Sequence, residues 1–230
     1  MHVLILGATG RNGALVLAEA LERGHTVTAL VRDPSNTALT PHTNLTLARG
    51  NPLSLADVRA AMRTPRGGPD AVVVALNARR VSDSPFAVLH PDTPAALIHD
   101  SVRNALEAMR GASPRTRKLV VNSMQGAGAS SASLIFPLRA LFNHSNMKHT
   151  LDDHNAVDAL VKGEEGKGVD WVLVRPPMLT EGEPLPVKVY GDDGSGARWM
   201  PKITRRSVAG FMVDAIEKDE WNRKAPVITN

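Results

Sequence analysis

The chain has 230 residues, a formal net charge of +4 and a hydrophobic content of 43%, which suffices for one large α/β domain with its own core. It contains no cysteine, which excludes disulfides, thiolate metal sites and cysteine nucleophiles. The basic residues are spread along the chain and aromatic residues make up only 3%, so nucleic acid is not an expected partner. The first apolar run is short for a secretory signal, and no run approaches the roughly 20 apolar residues of a membrane span, so we expect a cytoplasmic protein without a membrane partner.

Seven short apolar runs are predicted to form β-strands. Most of them are continuous rather than alternating, as in parallel strands that helices cover on both faces. They comprise residues 2–6, 26–31, 45–48, 71–76, 118–122, 170–174 and 226–229.

Amphipathic segments between these runs predict helices at residues 13–23, 54–62, 94–109, 152–161 and 206–216. Ser54 and Asp57 have the spacing of a helix N-terminal cap, and Pro94 suits a first helical turn. The repeated alternation of strand and helix predicts an α/β fold with a Rossmann-type, doubly wound parallel sheet.

No internal domain boundary is evident, so residues 1–230 are expected to form a single Rossmann domain. Residues 126–133 are predicted to be a flexible loop. Residues 178–203 are predicted to be a small C-terminal appendage that covers the substrate side, with residues 186–190 in a hairpin over the open end of the sheet.

Residues 7–13, Gly-Ala-Thr-Gly-Arg-Asn-Gly, lie between the first predicted strand and the first predicted helix. Gly7 permits the tight turn, Gly10 lets the backbone approach a pyrophosphate, and Gly13 lets the helix pack close to the strand. The N-terminus of the helix then faces the negative charge of the ligand. The pattern predicts dinucleotide binding, the alternative being a glycine turn without a ligand, and the expected contacts are Gly7, Thr9, Gly10, Arg11, Asn12 and Gly13.

The residue at the end of the second strand indicates which dinucleotide is preferred. An NAD site carries an acidic residue there, whereas this chain carries Arg32, and Arg11 lies in the glycine loop. Two guanidinium groups near one ribose suit a 2′-phosphate, so NADPH is the predicted cofactor. Asp33 keeps NADH possible as the cofactor, because a shift of one residue would place Asp33 instead of Arg32 at the end of the strand. For Arg32, the alternative is a solvated surface arginine without a ligand.

Polar residues and a proline follow three further strands. The carboxyl ends of parallel strands meet at one crevice, where Asn77, Ser123 and the pair Arg175-Pro176 follow their strands. Asn77, Ser123 and Pro176 are expected to line the cofactor site. Asn77 can hydrogen-bond a ribose or a carboxamide, and Ser123 can orient the nicotinamide or a substrate carbonyl. Simple strand-end caps are the alternative for these side chains.

Four segments together carry a resemblance to a known family. They are GATGRNG at 7–13, VRDP at 31–34, VDWVLVRPPML at 169–179 and ITRRSVAGFMVDAI at 203–216. The sequence resembles the atypical short-chain dehydrogenase/reductases that bind NAD(P)H, and within them the biliverdin reductase B/flavin reductase group and the NmrA-like proteins. The resemblance implies a nicotinamide site beside Ser123 and a polar contribution from residues 152–154, and the chain departs from it at Met178 and at residues 51–52.

The usual acid of short-chain dehydrogenases, a tyrosine followed four residues later by a lysine, is absent. The single tyrosine, Tyr190, is followed at that distance by Gly194. His144 and Lys148 have the same spacing, either on one helix face or in an exposed polar turn. Ser123 and His154 are therefore the predicted catalytic residues, with His154 as a proton donor or an orienter, the alternative being a histidine of the core.

Without the tyrosine acid, the favoured reaction is hydride transfer to a conjugated acceptor such as a flavin, a quinone, an enone or a tetrapyrrole, in which the new charge is delocalised. Met178, Tyr190 and Trp199 are expected to shape the pocket for this small molecule. An NmrA-like redox sensor and a redox-neutral isomerase or cyclase are the alternatives. The histidines are scattered, so no metal site is expected, and the protein is expected to be a monomer or a weak homodimer.

Overall fold

Six parallel β-strands form the central sheet in the computed structural model, which describes residues 1–63, 68–82, 84–113 and 115–230. The strands are β1 (His2–Leu6), β2 (Thr26–Val31), β3 (Leu45–Arg49), β4 (Ala71–Val74), β5 (Lys118–Asn122) and β6 (Asp170–Val174). Their order across the sheet is β3-β2-β1-β4-β5-β6, which is the order of doubly wound dinucleotide-binding folds. The predicted Rossmann-type sheet is confirmed, and the order reverses between β1 and β4, where such folds bind their ligands.

Helices cover both faces of this sheet. They are α1 (Arg11–Glu22), α2 (Leu55–Met62), α3 (Leu97–Arg110), α4 (Phe136–His144), α5 (Met147–Lys162) and α6 (Arg205–Glu217). Helices α1 and α6 pack against one set of strand side chains, and α2, α3 and α5 pack against the alternate set. Both faces are thus buried, which explains why the strands are continuous apolar runs. No helix in the described part of the chain combines the length and the apolar character needed to cross a membrane.

Two small sheets near the C-terminus correct two predictions. Strands β7 (Met178–Thr180) and β9 (Lys202–Thr204) pair in parallel, and β8 (Lys188–Tyr190) pairs antiparallel with β10 (Val227–Thr229). The hairpin predicted around residues 186–190 is wrong, because β8 takes its partner from the end of the chain. The last predicted strand pairs with β8 instead of joining the six parallel strands, although the Arg175 amide donates to the Pro226 carbonyl at 2.9 Å.

The helix boundaries show where local sequence signals were sufficient. The Ser54 side chain caps α2 as predicted, accepting a hydrogen bond from the Asp57 amide at 3.3 Å. Helix α3 begins at Leu97, three residues after the predicted Pro94 start, because its cap comes from elsewhere. The Asp153 carboxylate on α5 accepts hydrogen bonds from the Ile98 and His99 amides at 2.9 and 2.8 Å. No local sequence pattern predicts this cap.

The segment after β5 is more ordered than predicted. A 3₁₀-helix occupies Gly128–Ser133, within the predicted loop, and α4 follows where no helix was predicted. Helix α5 begins at Met147, five residues before the predicted start. His144 and Lys148 consequently lie on different helices, and Lys148 pairs with Asp152 at 2.6 Å.

Candidate functional site

The glycine turn between β1 and α1 is packed too tightly for side chains. Gly7 has a φ of +95°, and a Cβ atom there would lie 2.8 Å from the Ala75 carbonyl oxygen. A Cβ atom at Gly13 would lie 2.0 Å from the Gly7 carbonyl oxygen. Gly10 caps α1 without a side chain, so no side-chain oxygen of the cap competes with an anion for the first-turn amides. The turn fits the cradle that a dinucleotide diphosphate requires.

Gly13→Ala is expected to lower the free energy of unfolding by about 1–3 kcal/mol, because the new methyl group forces the backbones of β1 and α1 apart. Dinucleotide affinity is expected to fall with it, since the same atoms form the cradle. Urea denaturation and cofactor titration measure the two effects. Gly111→Ala is the control, because the nearest atom to a Cβ there is 3.9 Å away, and equal losses in both variants would contradict the packing argument.

The other predicted contacts of this turn differ in their surroundings. Thr9 and Arg11 are exposed beside the turn. Asn12 is buried, and its side-chain oxygen accepts a hydrogen bond from Arg205 at 2.7 Å. Arg205 also pairs with Glu181 at 2.8 Å. The Asn12 side chain thus joins α1 to α6. The backbone amide of Asn12 remains for a ligand at the N-terminus of α1.

A cavity of about 400 Å³ lies at the carboxyl ends of β2 and β3, with Arg32 and Arg49 in its wall. Both arginines are exposed. The register pairs Val31 with Arg49, so the side chain that follows β2 and the last side chain of β3 lie at the same edge. Sequence analysis missed Arg49, because its relation to Arg32 depends on the pairing of β2 with β3, although a cation at the end of a predicted strand was the available signal.

The carboxylate of Asp33 is used within its own turn. It accepts hydrogen bonds from the Ser35 amide at 3.1 Å and from the Ser35 hydroxyl at 2.6 Å. These bonds, and to a smaller degree the charge of Arg49, lower the pKa of Asp33. One carboxylate oxygen of Asp33, the residue that kept NADH possible as the cofactor, is therefore engaged within the local turn.

Ser123 directly follows β5 and is buried. Its amide donates to the Val174 carbonyl at 2.7 Å, which continues the pairing of β5 with β6. Its hydroxyl oxygen, like the side-chain oxygen of the neighbouring Asn122, has no hydrogen-bond partner among the described residues. A buried polar atom without a partner costs about 1–3 kcal/mol, so a ligand that hydrogen-bonds to Ser123 would recover that cost.

The two remaining predicted cofactor contacts lie at neighbouring strand ends. Asn77 is exposed in the segment that follows β4. Pro176 is buried after β6, and its carbonyl accepts from the Gln125 amide at 2.9 Å. This bond holds the exits of β5 and β6 together, next to Ser123.

His154 is buried on α5, and its Nδ1 atom has no partner among the described residues. Burial, together with the nearby charge of Arg175, lowers the pKa of His154 to about 4. The ring is therefore neutral at neutral pH and holds no proton that an imidazolium acid would donate. Asp153 does not polarise it, because that carboxylate caps α3.

The buried His154 is expected to make stability depend on pH. The unfolded chain binds a proton near pH 6.5, whereas the folded chain does so only near pH 4, so stability is lost as the pH falls through this window. Between pH 7 and pH 5 the free energy of unfolding is expected to fall by about 2 kcal/mol from this group alone. Urea denaturation of His154→Gln should lack that part of the decrease, whereas His149→Gln, which changes an exposed residue of the same helix, should retain it. A wild-type profile as flat as that of His154→Gln would contradict the assignment.

Arg175, which sequence analysis placed at the crevice, is fully buried and engaged in the fold. Its guanidinium bonds to Asp158 on α5 and donates to the Asp192 carbonyl at 2.6 Å. It therefore ties β6 to α5 and to the segment after β8, while its Nε atom has no hydrogen-bond partner among the described residues.

The three residues predicted to shape a substrate pocket line neither the cavity at β2 and β3 nor the second cavity described below. Met178 on β7 and Trp199 before β9 are 47% and 70% exposed, and Tyr190 is half-buried on β8. A second cavity, of about 250 Å³, lies instead between the 3₁₀-helix, α4 and α5, and none of the three lines it. Its walls come largely from elements that sequence analysis did not predict.

Comparison with known families identifies the protein family to which this glycine turn and parallel sheet belong. The sequence profile of a family described as NAD(P)H-binding matches residues 7–219. The chain belongs to this NAD(P)H-binding family. Its cofactor is accordingly a nicotinamide dinucleotide, and the glycine turn lies at the start of the matched region.

Relatives of this NAD(P)H-binding chain include named oxidoreductases. The reductase pytE of Aspergillus terreus is 25% identical over 203 residues, which cover 79% of this chain and 76% of the relative. The solved oxidoreductase ylbE of Lactococcus lactis matches with a TM-score of 0.74 at 17% identity, over 100% of this chain and 91% of its own. The anaerobilin reductase ChuY of Escherichia coli O157:H7 matches with a TM-score of 0.72 at 17% identity, over 100% and 97%. The two structures show the shared fold.

Proposed function

We propose that this protein is an NADPH-dependent reductase of the atypical short-chain dehydrogenase/reductase type, acting on a conjugated small molecule. The observation that carries the choice of NADPH is the pair of exposed guanidinium groups, Arg32 and Arg49, in the wall of one cavity. Guanidinium groups bind phosphate through paired, charge-assisted hydrogen bonds. The engagement of Asp33 with Ser35 supports the same choice, because one oxygen of that carboxylate is held within its own turn. Asp57 also lines the cavity, and its carboxylate accepts a hydrogen bond from the Asn51 amide at 2.8 Å.

The residues that would hold the cofactor fit its parts. The glycine turn and the first turn of α1 suit the diphosphate, and Arg32 and Arg49 suit the 2′-phosphate. Ser123 offers an unpartnered hydroxyl to the nicotinamide carboxamide or to a substrate carbonyl. When bound, the reduced nicotinamide supplies a hydride.

The class of acceptor follows from the lack of an evident general acid for the reduction. The single tyrosine has no lysine four residues later, and His154 is buried and neutral. A positioned general acid contributes about 10²–10⁴-fold to such a reduction, so a simple ketone is a poor substrate here. A flavin, quinone or enone delocalises the charge: a quinone takes up the hydride and one proton from water, giving the hydroquinone and the oxidised dinucleotide.

The test begins with cofactor titration and continues with an acceptor panel. NADPH is expected to bind at least about 10-fold more tightly than NADH, the equivalent of one charge-assisted hydrogen bond. NADPH oxidation is then followed with a flavin, a naphthoquinone, an enone and a simple ketone, and the conjugated acceptors should react faster than the ketone. Equal affinity for NADPH and NADH would contradict the cofactor assignment. Equal binding of NADP⁺ and NADPH without reduction of any acceptor would instead support a redox sensor.

A further inference from the structure

The cavity between the 3₁₀-helix, α4 and α5 lies beside the exit of β5. Gly126, three residues after Ser123, forms part of its wall. The hydrogen bond from the Gln125 amide to the Pro176 carbonyl holds this exit against that of β6. Asn155, the residue after His154, contributes another part of the wall. The cavity therefore adjoins the carboxyl edge of the sheet, where folds of this kind bind their ligands.

Arg139 is the single charged side chain among the residues that line this cavity. It donates one hydrogen bond to the Ser131 carbonyl at 3.0 Å, which steadies the guanidinium at the cavity wall. Within the part of the chain that the structure describes, no carboxylate pairs with it. A guanidinium has five N–H donors, so most of its donors remain for a ligand.

The rest of the wall combines an apolar side with amides. Leu134, Phe142 and Leu151 are buried in a small cluster separate from the main core. Asn143 and Asn155 add amide groups, and the Asn155 oxygen accepts from the Gly128 amide at 2.8 Å, which leaves its NH₂ group for another acceptor. The lining thus joins one unpaired cation and amide donors to a short hydrocarbon surface.

The volume of the cavity, about 250 Å³, limits what it can hold. Pockets that enclose a whole drug-sized ligand measure roughly 300–1,000 Å³. A large conjugated molecule such as a flavin nucleotide or a tetrapyrrole does not fit inside as a whole, whereas one of its side groups does.

We propose that this cavity binds a carboxylate on a short hydrocarbon stem, carried by the acceptor, while the conjugated part of the acceptor lies outside, towards Ser123. Arg139 binds the carboxylate, and the cluster of Leu134, Phe142 and Leu151 contacts the stem. The inference rests on the proposed reductase function, and it narrows the substrate class to anionic conjugated acceptors.

Matched acid and amide ligands test the proposal. The binding probes are 3-(2-naphthyl)propionate and its propionamide, which differ in charge and are not reduced, and their affinities are measured by calorimetry with NADP⁺ present. The acid is expected to bind about 3- to 10-fold more tightly than the amide, because Arg139 is exposed and its attraction for the carboxylate is partly screened. A naphthoquinone with a propionate side chain should show a correspondingly lower KM than its propionamide.

Two variants and one control locate the effect. Arg139→Gln should abolish the preference for the acid, and Asn143→Asp should weaken acid binding by charge repulsion while sparing the amide. Arg117→Gln removes the same charge from an exposed residue next to the start of β5, at the opposite edge of the sheet, and should retain the preference. Circular dichroism and NADPH titration verify that each variant is folded and binds the cofactor.

The outcomes separate this inference from the function on which it rests. Equal binding of acid and amide to the wild type, or an undiminished preference in Arg139→Gln, would overturn the anionic site even if quinones are reduced. A chain that binds the naphthyl acid through Arg139 but does not bind NADPH would retain the anion site and refute the reductase.

Discussion

Asp158→Ala is expected to lower the free energy of unfolding by about 3–5 kcal/mol, because it leaves the buried charge of Arg175 without its partner. The Arg175 side chain is fully buried, and Asp158 is largely so. Burial lowers the pKa of Arg175, and the charges of Asp158 and Asp192 oppose that effect. The guanidinium nevertheless stays protonated, so the cost of losing Asp158 falls on the folded state, where the charge of Asp192 is the compensation that remains.

Urea denaturation of two further variants distinguishes this cost from the loss of an ordinary ion pair. Asp152→Ala, on the same helix, breaks an exposed pair with Lys148 and should cost less than about 1 kcal/mol. The double variant Asp158→Ala with Arg175→Met should recover part of the loss, since the apolar side chains need no charge compensation. An Asp158→Ala cost no larger than that of Asp152→Ala would show that the buried pair does not hold β6 to α5.

The glycine turn and the central strands could be predicted because their signals are local. Gly7 and Gly13 lie within one stretch of seven residues, and most strands are continuous apolar runs because helices cover both faces of the sheet. The order of the sheet then follows from general rules of α/β connection. These local features suffice to place the crevice at the carboxyl ends of the strands.

The features that sequence analysis missed depend on partners distant in the chain. Asp153 caps α3 across 55 residues, β8 pairs with β10 at the end of the chain, and Arg49 comes next to Arg32 only through the register of β2 and β3. Arg175 was placed correctly after its strand, but the direction of its side chain is set by Asp158. Position along a strand can therefore be predicted from pattern, whereas the partner of a side chain requires the fold.

The double variant Arg32→Ala with Arg49→Ala is expected to raise the Kd for NADPH by about 10²- to 10³-fold and to leave the Kd for NADH within about 3-fold. Each guanidinium bound to a phosphate contributes about 1.5–3 kcal/mol, reduced here because both arginines are exposed. NADH lacks the 2′-phosphate, so it loses neither contact. Fluorescence titration with both dinucleotides at low and at high salt measures the effect, and the preference of the wild type should weaken as salt increases.

The single variants show whether the two arginines act on one group. If both arginines bind the same phosphate, the affinity losses of Arg32→Ala and Arg49→Ala should together be smaller than the loss in the double variant. In each single variant the remaining arginine still binds the phosphate. Arg103→Ala removes an exposed arginine of α3 and is expected to change neither affinity. Asp33→Ala should also leave NADH binding unchanged, since that carboxylate serves the turn with Ser35. A double variant with the wild-type ratio of NADPH to NADH affinity would show that the cavity of β2 and β3 does not bind the ribose phosphate.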